Sequence, residues 1–226
     1  CDEAISEALV AAKITMKDVD IISFSQGPGI GHCLRVGAAA ARTLSIVHKK
    51  PLVGVNHCIS HLEIGKLLTQ AKDPVLLYVS GANTQVIAYE SGKYRIFGET
   101  LDIGVGNFLD SFARLIGLGY PGGPAISKAA VKGDKYKYDL PRAWLGKTSL
   151  DFSFSGLKSA VARVVAEHKI NARFQADMAA SFQEAVCDVL STKLITAAQI
   201  YNAKEIHLAG GVSANKRLRE VVAEKA

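Results

Sequence analysis

Apolar residues Ala4, Ile5, Ala8, Leu9 and Ala12 recur at the spacing of one helical face, so the chain opens on an amphipathic helix. The stretch "VDIISFSQGPGIGHCLRVGAAAARTLSIVHKK" then changes period. Residues 19–24 form a short apolar strand, Gly27, Pro28, Gly29 and Gly31 break it, and residues 34–47 read as an alanine-rich helix. A second strand follows at 51–55, and "VNHCISHLEIGKLL" (55–68) is the helix after it. Strand, helix, strand, helix at this spacing predicts α/β architecture with parallel strands.

At Asp73-Pro74 the texture changes. "VLLYVSGANTQVIAYESGKYRIFGETLD" alternates apolar and polar positions around Gly81-Ala82-Asn83 and Ser91-Gly92-Lys93, the mark of antiparallel hairpins. A helix is predicted at 105–115, then a Gly/Pro-rich loop "GLGYPGGPAISKAA", then a polar, tyrosine-rich loop to about residue 150. Long helices are expected at 157–168 and 173–202, followed by a strand, a glycine turn and a last helix in "EIHLAGGVSANKRLREVV". A boundary near residue 71 divides the chain into a first lobe, 1–70, and a second, 71–226. A helical pattern already running at Cys1, and a last helix without a stop signal, are expected of an internal portion of a longer protein.

Composition narrows the class. Of 226 residues, 49% are hydrophobic and 21% charged, a globular balance. No apolar run approaches the roughly 20 residues of a membrane helix and no signal peptide opens the chain, so no membrane association is expected. Cys1, Cys33, Cys58 and Cys187 are scattered without a CxxC pair, which predicts a reducing, cytoplasmic setting. With 27 Lys+Arg against 21 Asp+Glu, the net charge of +6 favours phosphate-bearing partners, nucleic acids among them. Basic residues gather in two places: Lys132, Lys135, Lys137, Arg142 and Lys147, then Lys216, Arg217 and Arg219.

Three turns share one design: "SQGPGIG" (25–31), "SGANT" (80–84) and "AGGVSAN" (209–215). Each follows a strand, and glycine leaves backbone N–H groups open to a ligand while a following helix adds its positive end. None fits the Walker pattern, and "GPGIGH" departs from GxGxxG, which disfavours a dinucleotide site. Three such turns on two lobes predict a nucleotide held in a cleft. "YPGGPAIS" (120–127) is expected to bring exposed backbone to a ribose or base, with Asp110 accepting from a hydroxyl and Lys158 a candidate to neutralise phosphate. His57 and His61, four apart, lie on one helix face, a spacing open to a metal clip but more often that of an ordinary packed or solvent-facing pair.

"SQGPGIGHCLRVGAAAARTL", "VNHCISHLEIGKL", "LYVSGANTQV", "GNFLDSFARLIGLGYPGGPAI", "DFSFSGLKSAV" and "LAGGVSANKRLRE" occur in that order over nearly the whole chain. As a set they resemble the tRNA N6-adenosine threonylcarbamoyltransferases. The version with Tyr78 is similar to the archaeal and eukaryotic branch, the catalytic subunit of the KEOPS complex, formerly called O-sialoglycoprotein endopeptidase. This resemblance implies the two-lobe α/β fold of the actin, Hsp70 and sugar-kinase superfamily around a nucleotide cleft, here truncated at both ends. It implies transfer of a threonylcarbamoyl group from threonylcarbamoyl-adenylate to N6 of the tRNA adenosine beside the anticodon. The implied metal ligands are His57, His61 and Tyr78, completed by an aspartate that would follow this chain's last residue. Substrate and nucleotide contacts fall on Tyr78, Val79, Ser80, Gly81, Ala82, Asp110, Gly123, Ser127, Gly210, Gly211 and Asn215. Two departures stand out: Ala82 where the family usually has glycine, and Ser127 where it often has an acid.

Two imidazoles, a phenolate and a carboxylate suit a borderline metal, iron ahead of zinc, acting as a Lewis acid beside an adenine nucleotide or adenylate. The resemblance also implies a small dimerising KEOPS subunit on the first lobe and a kinase-like KEOPS subunit as partners, with tRNA as substrate. A metalloprotease is a poor reading: HExxH requires glutamate where Cys58 stands, and HxxEH requires it where Ser60 stands. A small-molecule kinase of the same superfamily and a nucleotide-binding regulatory scaffold are the alternatives.

Overall fold

The computed structural model describes residues 1–146 and 149–226, so Lys147 of the first basic cluster lies outside the described residues. The chain divides into two units, Cys1–Ile64 and Gly65–Ala226. In the first, helix α1 (Asp2–Ala12) precedes strand β1 (Ile22–Gly27), helix α2 (Gly31–His48) and strand β2 (Leu52–Asn56). Strands β1 and β2 pair in parallel, Ile22 opposite Leu52 and Ser25 opposite Val55, and α2, which joins them, packs on β1. Helix α3 (His57–Thr69) begins directly at the end of β2, with Asn56 Oδ1 accepting from the N–H groups of Cys58 (2.9 Å) and Ile59 (3.2 Å).

The second unit is built on a four-stranded sheet: β3 (Val75–Val79), β4 (Thr84–Glu90), β5 (Lys93–Glu99) and β6 (Ile206–Ala209), in the order β5-β4-β3-β6. The two hairpins are antiparallel as the alternation predicts, and β6 returns parallel to β3. Ser91 and Gly92 between β4 and β5 both have positive φ (52° and 80°), the geometry of a primed hairpin turn. Every residue of β3 is buried.

Helices α4 (Val105–Leu115), α5 (Gly122–Ala130), α6 (Ser155–Ala166), α7 (Ala172–Ile200) and α8 (Lys216–Lys225) complete the unit. Val75, Leu77 and Val79 belong to a core shared with α4, α6, α7 and α8. At its centre Phe112 and Phe182 stack with ring centroids 3.7 Å apart, and Phe108 meets Phe182 edge-on at 5.1 Å. Among the described residues no helix is long and apolar enough to cross a membrane.

One expectation is overturned: "YPGGPAIS" is not an irregular loop but the start of α5, with Pro121 in extended conformation as its N-cap. Proline in a first helical turn costs no hydrogen bond, because those N–H groups lack intrahelical partners anyway. Packing of α5 against α4 and α7 then outweighs the poor helix propensity of two glycines.

Candidate functional site

Strands β3 and β6 are adjacent and parallel, with Tyr78 opposite Ala209, so both leave the sheet at the same end. That end, beyond the carboxyl termini of parallel strands, is where α/β sheets place ligands. Here β3 runs into the Ser80–Asn83 turn, closed by Ser80 N–H donating to Asn83 O at 2.8 Å. Its counterpart β6 runs into Gly210 and a single 3-10 turn (Gly211–Ala214). Gly210 has φ +90°, and any Cβ there would run into the Val79 carbonyl.

The two turns meet ligand space differently from the shared design read in the sequence. "SGANT" is followed by β4, not by a helix, and its carbonyls are consumed locally: Ser80 O accepts from Gly106 N–H (3.0 Å) and Gly81 O from Asn107 N–H (2.8 Å). Thr84 Oγ1, fully buried, accepts from Val105 N–H at 2.8 Å. The first N–H groups of α4 are therefore capped by the turn itself. Gly106 allows this approach, since a Cβ there would sit 2.7 Å from Gly81 Cα.

A cleft of about 500 Å³ opens beside these turns. Its walls are mainly apolar, and it gathers Gly81, Asp110, Gly123, Ser127, Gly211 and Asn215 from the sequence-predicted set, with Lys216 at its edge. The volume and the few convergent polar groups are those of a small-molecule site. Asp110 Oδ1 accepts from Gly122 N–H at 2.8 Å, capping α5; a carboxylate has capacity for further donors. Asn215 Oδ1 accepts from Leu218 N–H (3.1 Å), capping α8, while its Nδ2 donates to Ser127 Oγ (3.1 Å) and Gln183 Oε1 (2.9 Å). Ser127 Oγ in turn donates to Gln183 Oε1 at 3.0 Å. Gln183, on α7, is thus the common acceptor that fixes both polar groups of the cleft, and sequence reading missed it.

The remaining predicted residues lie around this cleft or away from it. Val79 is wholly buried in the sheet, Ser80 shapes the turn, Ala82 is exposed, and Gly210 sets the path of the backbone before Gly211. Lys158 is exposed on α6. The start of α6 is held by Asp102, which accepts from the Ser153 and Ser155 hydroxyls (2.7 Å each) and from the Phe154 and Ser155 N–H groups (3.0 Å). Burial by itself raises the Asp102 pKa, but hydrogen bonds from Ser155, Ser153, Phe154 and Ile103 outweigh it and hold the carboxyl well below the usual range.

For the metal, His57 and His61 belong to the first unit and Tyr78 to the second. The two imidazoles lie on one face of α3 with ring centroids 4.8 Å apart, close enough to share an ion. Burial, and secondarily the neighbouring His57, keep His61 below the ordinary imidazole pKa and so in the neutral form a metal requires. Tyr78 is 1% exposed and alternates with Leu77 and Val79, so it lies on the sheet face opposite them. Its cross-strand neighbour Gln85 carries a buried Oε1 with no hydrogen-bond partner among the described residues. No group of three or more His, Cys, Asp or Glu side chains is assembled among the described residues. Imidazole donors suit a borderline metal in type, and the pair could supply two of its ligands.

Comparison with protein families matches residues 1–226 to "TsaD: tRNA N6-adenosine threonylcarbamoyltransferase". A Thermococcus gammatolerans protein named tRNA N6-adenosine threonylcarbamoyltransferase is 52% identical over 216 residues, covering 96% of this chain and 64% of that relative. A Methanocaldococcus jannaschii relative, "Probable bifunctional tRNA threonylcarbamoyladenosine biosynthesis protein", is 52% identical over 209 residues, 92% of this chain and 38% of its own length. The chain therefore spans less than two thirds of these relatives. Among solved structures, Thermococcus kodakarensis HypF superposes with a TM-score of 0.77 at 13% identity, over 99% of this chain and 39% of HypF. Full-length HypF in its phosphate- and nucleotide-bound form gives 0.72 at 11% identity, over 99% of this chain and 44% of its own. The likeness is one of fold, a mixed α/β architecture shared along the chain. By its match along all 226 residues, this chain belongs to the tRNA N6-adenosine threonylcarbamoyltransferase family.

Proposed function

We propose that the full-length protein transfers a threonylcarbamoyl group from threonylcarbamoyl-adenylate to N6 of the tRNA adenosine beside the anticodon, and that the cleft bounded by Gly81, Asp110 and Gly211 holds the adenylate. The observation that carries this reading is the cleft itself: glycine-edged backbone at the carboxyl ends of β3 and β6, with Asp110, Ser127 and Asn215 converging on it. Gly211 faces open space, so its backbone is free to approach a phosphate or ribose. Asp110 has acceptor capacity for a ribose hydroxyl, and the apolar walls suit an adenine ring. The work of the protein is largely orientation, because a carbonyl joined to AMP already carries a good leaving group.

His57, His61 and Tyr78 are the residues that would hold a metal ion, iron ahead of zinc, which when bound supplies Lewis-acid polarisation of the transferred carbonyl. Elemental analysis of the full-length protein should find the metal, and a His57→Ala/His61→Ala variant should lose it. Equal content in both would make the pair ordinary members of a helix. The reading also includes a small dimerising KEOPS subunit on the first unit, a kinase-like KEOPS subunit, and a cytoplasmic location.

The deciding experiment is incubation of the full-length protein and its partner subunits with threonylcarbamoyl-adenylate and unmodified tRNA, followed by nucleoside mass spectrometry. Appearance of N6-threonylcarbamoyladenosine, abolished by Gly211→Val, is the expected result. Product formation undiminished in Gly211→Val would remove the cleft from the reaction.

A further inference from the structure

Beyond the cleft, the same side of the second unit continues into two further hollows. The first, of about 290 Å³, shares Ser127 and Lys216 with the cleft and adds Lys135, Glu184 and Arg217. The second, of about 460 Å³, is lined by Lys137, Lys169 and Arg173 together with the rings of Tyr138, His168 and Phe174. Both rest on α7. Phe174, Asp177, Ala180 and Glu184 succeed one another at three- and four-residue spacing, so they lie along one helix face. From Arg173 to Gln183 that face is about 15 Å long.

Of the four acids lining these hollows, Glu184, Asp177 and Glu220 face cations, and Asp134 is exposed. Glu184 accepts from Arg217 Nε (2.7 Å) and Nη2 (2.9 Å) and from Lys135 Nζ (3.1 Å), and Asp177 accepts from Arg173 Nε (2.8 Å). Outward-facing cations remain: Lys132, Lys137 and Lys169 are exposed, and the Lys216 side chain, 3.9 Å from Glu220, is 92% exposed. Rings accompany them. His168, exposed, packs against half-buried Tyr138 and buried Phe174 with centroids 5.6 and 5.3 Å away, and Tyr136, 77% exposed, has Lys135 Nζ 4.9 Å from its ring centroid. Cations for phosphates interleaved with aromatic faces for bases are the chemistry of unpaired RNA, whereas cations alone would suit any polyanion.

We propose that this basic, ring-bearing surface over α7, formed by residues 132–138, the turn between α6 and α7 and the start of α8, is a track along which a single-stranded segment of the RNA substrate lies as it approaches the cleft. The proposal rests on the reading of the cleft given above. It is tested with the full-length protein, measuring binding of an unmodified tRNA transcript across a salt series, and binding of AMP by equilibrium dialysis. In Lys137→Glu/Lys169→Glu, and in the milder Lys137→Gln/Lys169→Gln, affinity for tRNA should fall about tenfold or more. The slope of log affinity against log salt should shrink by about 1.4, the contribution of two phosphate contacts on a single strand, with AMP binding unchanged. Tyr136→Ala should weaken RNA binding at constant slope. Unchanged tRNA affinity and slope in both double variants would overturn the track while leaving the cleft reading intact. The track would be overturned equally if those variants lost only a protein partner, since the face would then dock an acidic protein surface. Failure of the unaltered protein to bind tRNA at all would instead overturn the functional reading.

Discussion

In the second unit β3 has no exposed residue and α7 is buried along most of its length from Phe174 to Leu194, whereas in the first unit α1 buries nothing and α2 buries only Ala41. Large apolar side chains of the first unit stay open to solvent: Val10 and Ile46 are each 77% exposed and Val47 is 66%. The helix ends follow the same contrast except at α3, which Asn56 caps. Neither α1 nor α2 starts with a side-chain cap, while α7 is capped by Asn171, α8 by Asn215, α5 by Asp110 and α6 by Asp102. Groups in the second unit are therefore held by distant parts of the chain, and the polar residues of the cleft inherit that rigidity. His57 and His61 owe their relation to the regular geometry of one helix.

The sharpest way to break this contrast is to remove matching apolar mass from each unit. Phe182 is wholly buried, stacked on Phe112 and edge-on to Phe108. Phe182→Ala should cost about 3–5 kcal/mol in denaturant unfolding, through lost transfer energy and a cavity. Ile46→Ser should change stability by no more than about 0.5 kcal/mol. Comparable losses from the two would show that α2 packs in solution as tightly as α7 does.

At the cleft the expected effect is on binding. Gly211 has nothing within 4 Å of a built Cβ, so Gly211→Val should fold with an unchanged melting temperature yet lower adenine-nucleotide affinity by at least about tenfold, some 1.4 kcal/mol. Gly210→Val must instead adopt φ +90° and meet the Val79 carbonyl, so it should lose stability as well. Calorimetric titration and thermal melts on the pair separate ligand space from scaffold. A Gly211→Val protein that binds AMP normally would move the ligand elsewhere.

Much of this architecture was legible in the chain because it rests on local patterns. Alternation and the Ser91-Gly92-Lys93 punctuation announced the β3–β5 hairpins, and helical periodicity announced α4 and α7. Pro-Gly-Gly-Pro was misread because first-turn prolines and tertiary packing defeat propensity, and "SGANT" because a glycine turn does not declare whether strand or helix comes next. Gln183 was invisible for a different reason: it meets Ser127 and Asn215 across 56 and 32 positions of sequence, and a mid-helix glutamine carries no local signature of such a role. Asp102, capping α6 from 53 positions away from Ser155, is hidden in the same way.

That cap gives a pH-dependent prediction. A carboxyl whose folded pKa lies below its unfolded value contributes stability that is fully present above the unfolded pKa, about 3.9, and is lost as pH falls through the folded value. Asp102→Asn should therefore cost about 1 kcal/mol at neutral pH, the usual worth of a helix cap, and progressively less below about pH 4. Denaturant midpoints at pH 7 and near pH 3 would show this. A deficit of the same size at both would mean that shape, not charge, holds α6.

The smallest effect on stability carries the most information about the first unit. Val10 on α1 and Ile46 and Val47 on α2 expose apolar area that contributes little to folding as it stands. If that area serves the small dimerising subunit proposed above, Ile46→Glu should leave unfolding of the protein alone within about 0.5 kcal/mol of the parent. It should nevertheless weaken the complex by about 2 kcal/mol or more, because a carboxylate forced into an apolar interface loses its hydration without a partner. The measurement is paired: unfolding of the protein alone, and sedimentation or calorimetry of the complex. The full interface should bury on the order of 1,200–2,000 Å². Unaltered affinity in Ile46→Glu, or cross-links from the partner confined to residues after Asp73, would place the partner on the second unit and leave the exposed apolar side chains of α1 and α2 without a role in assembly.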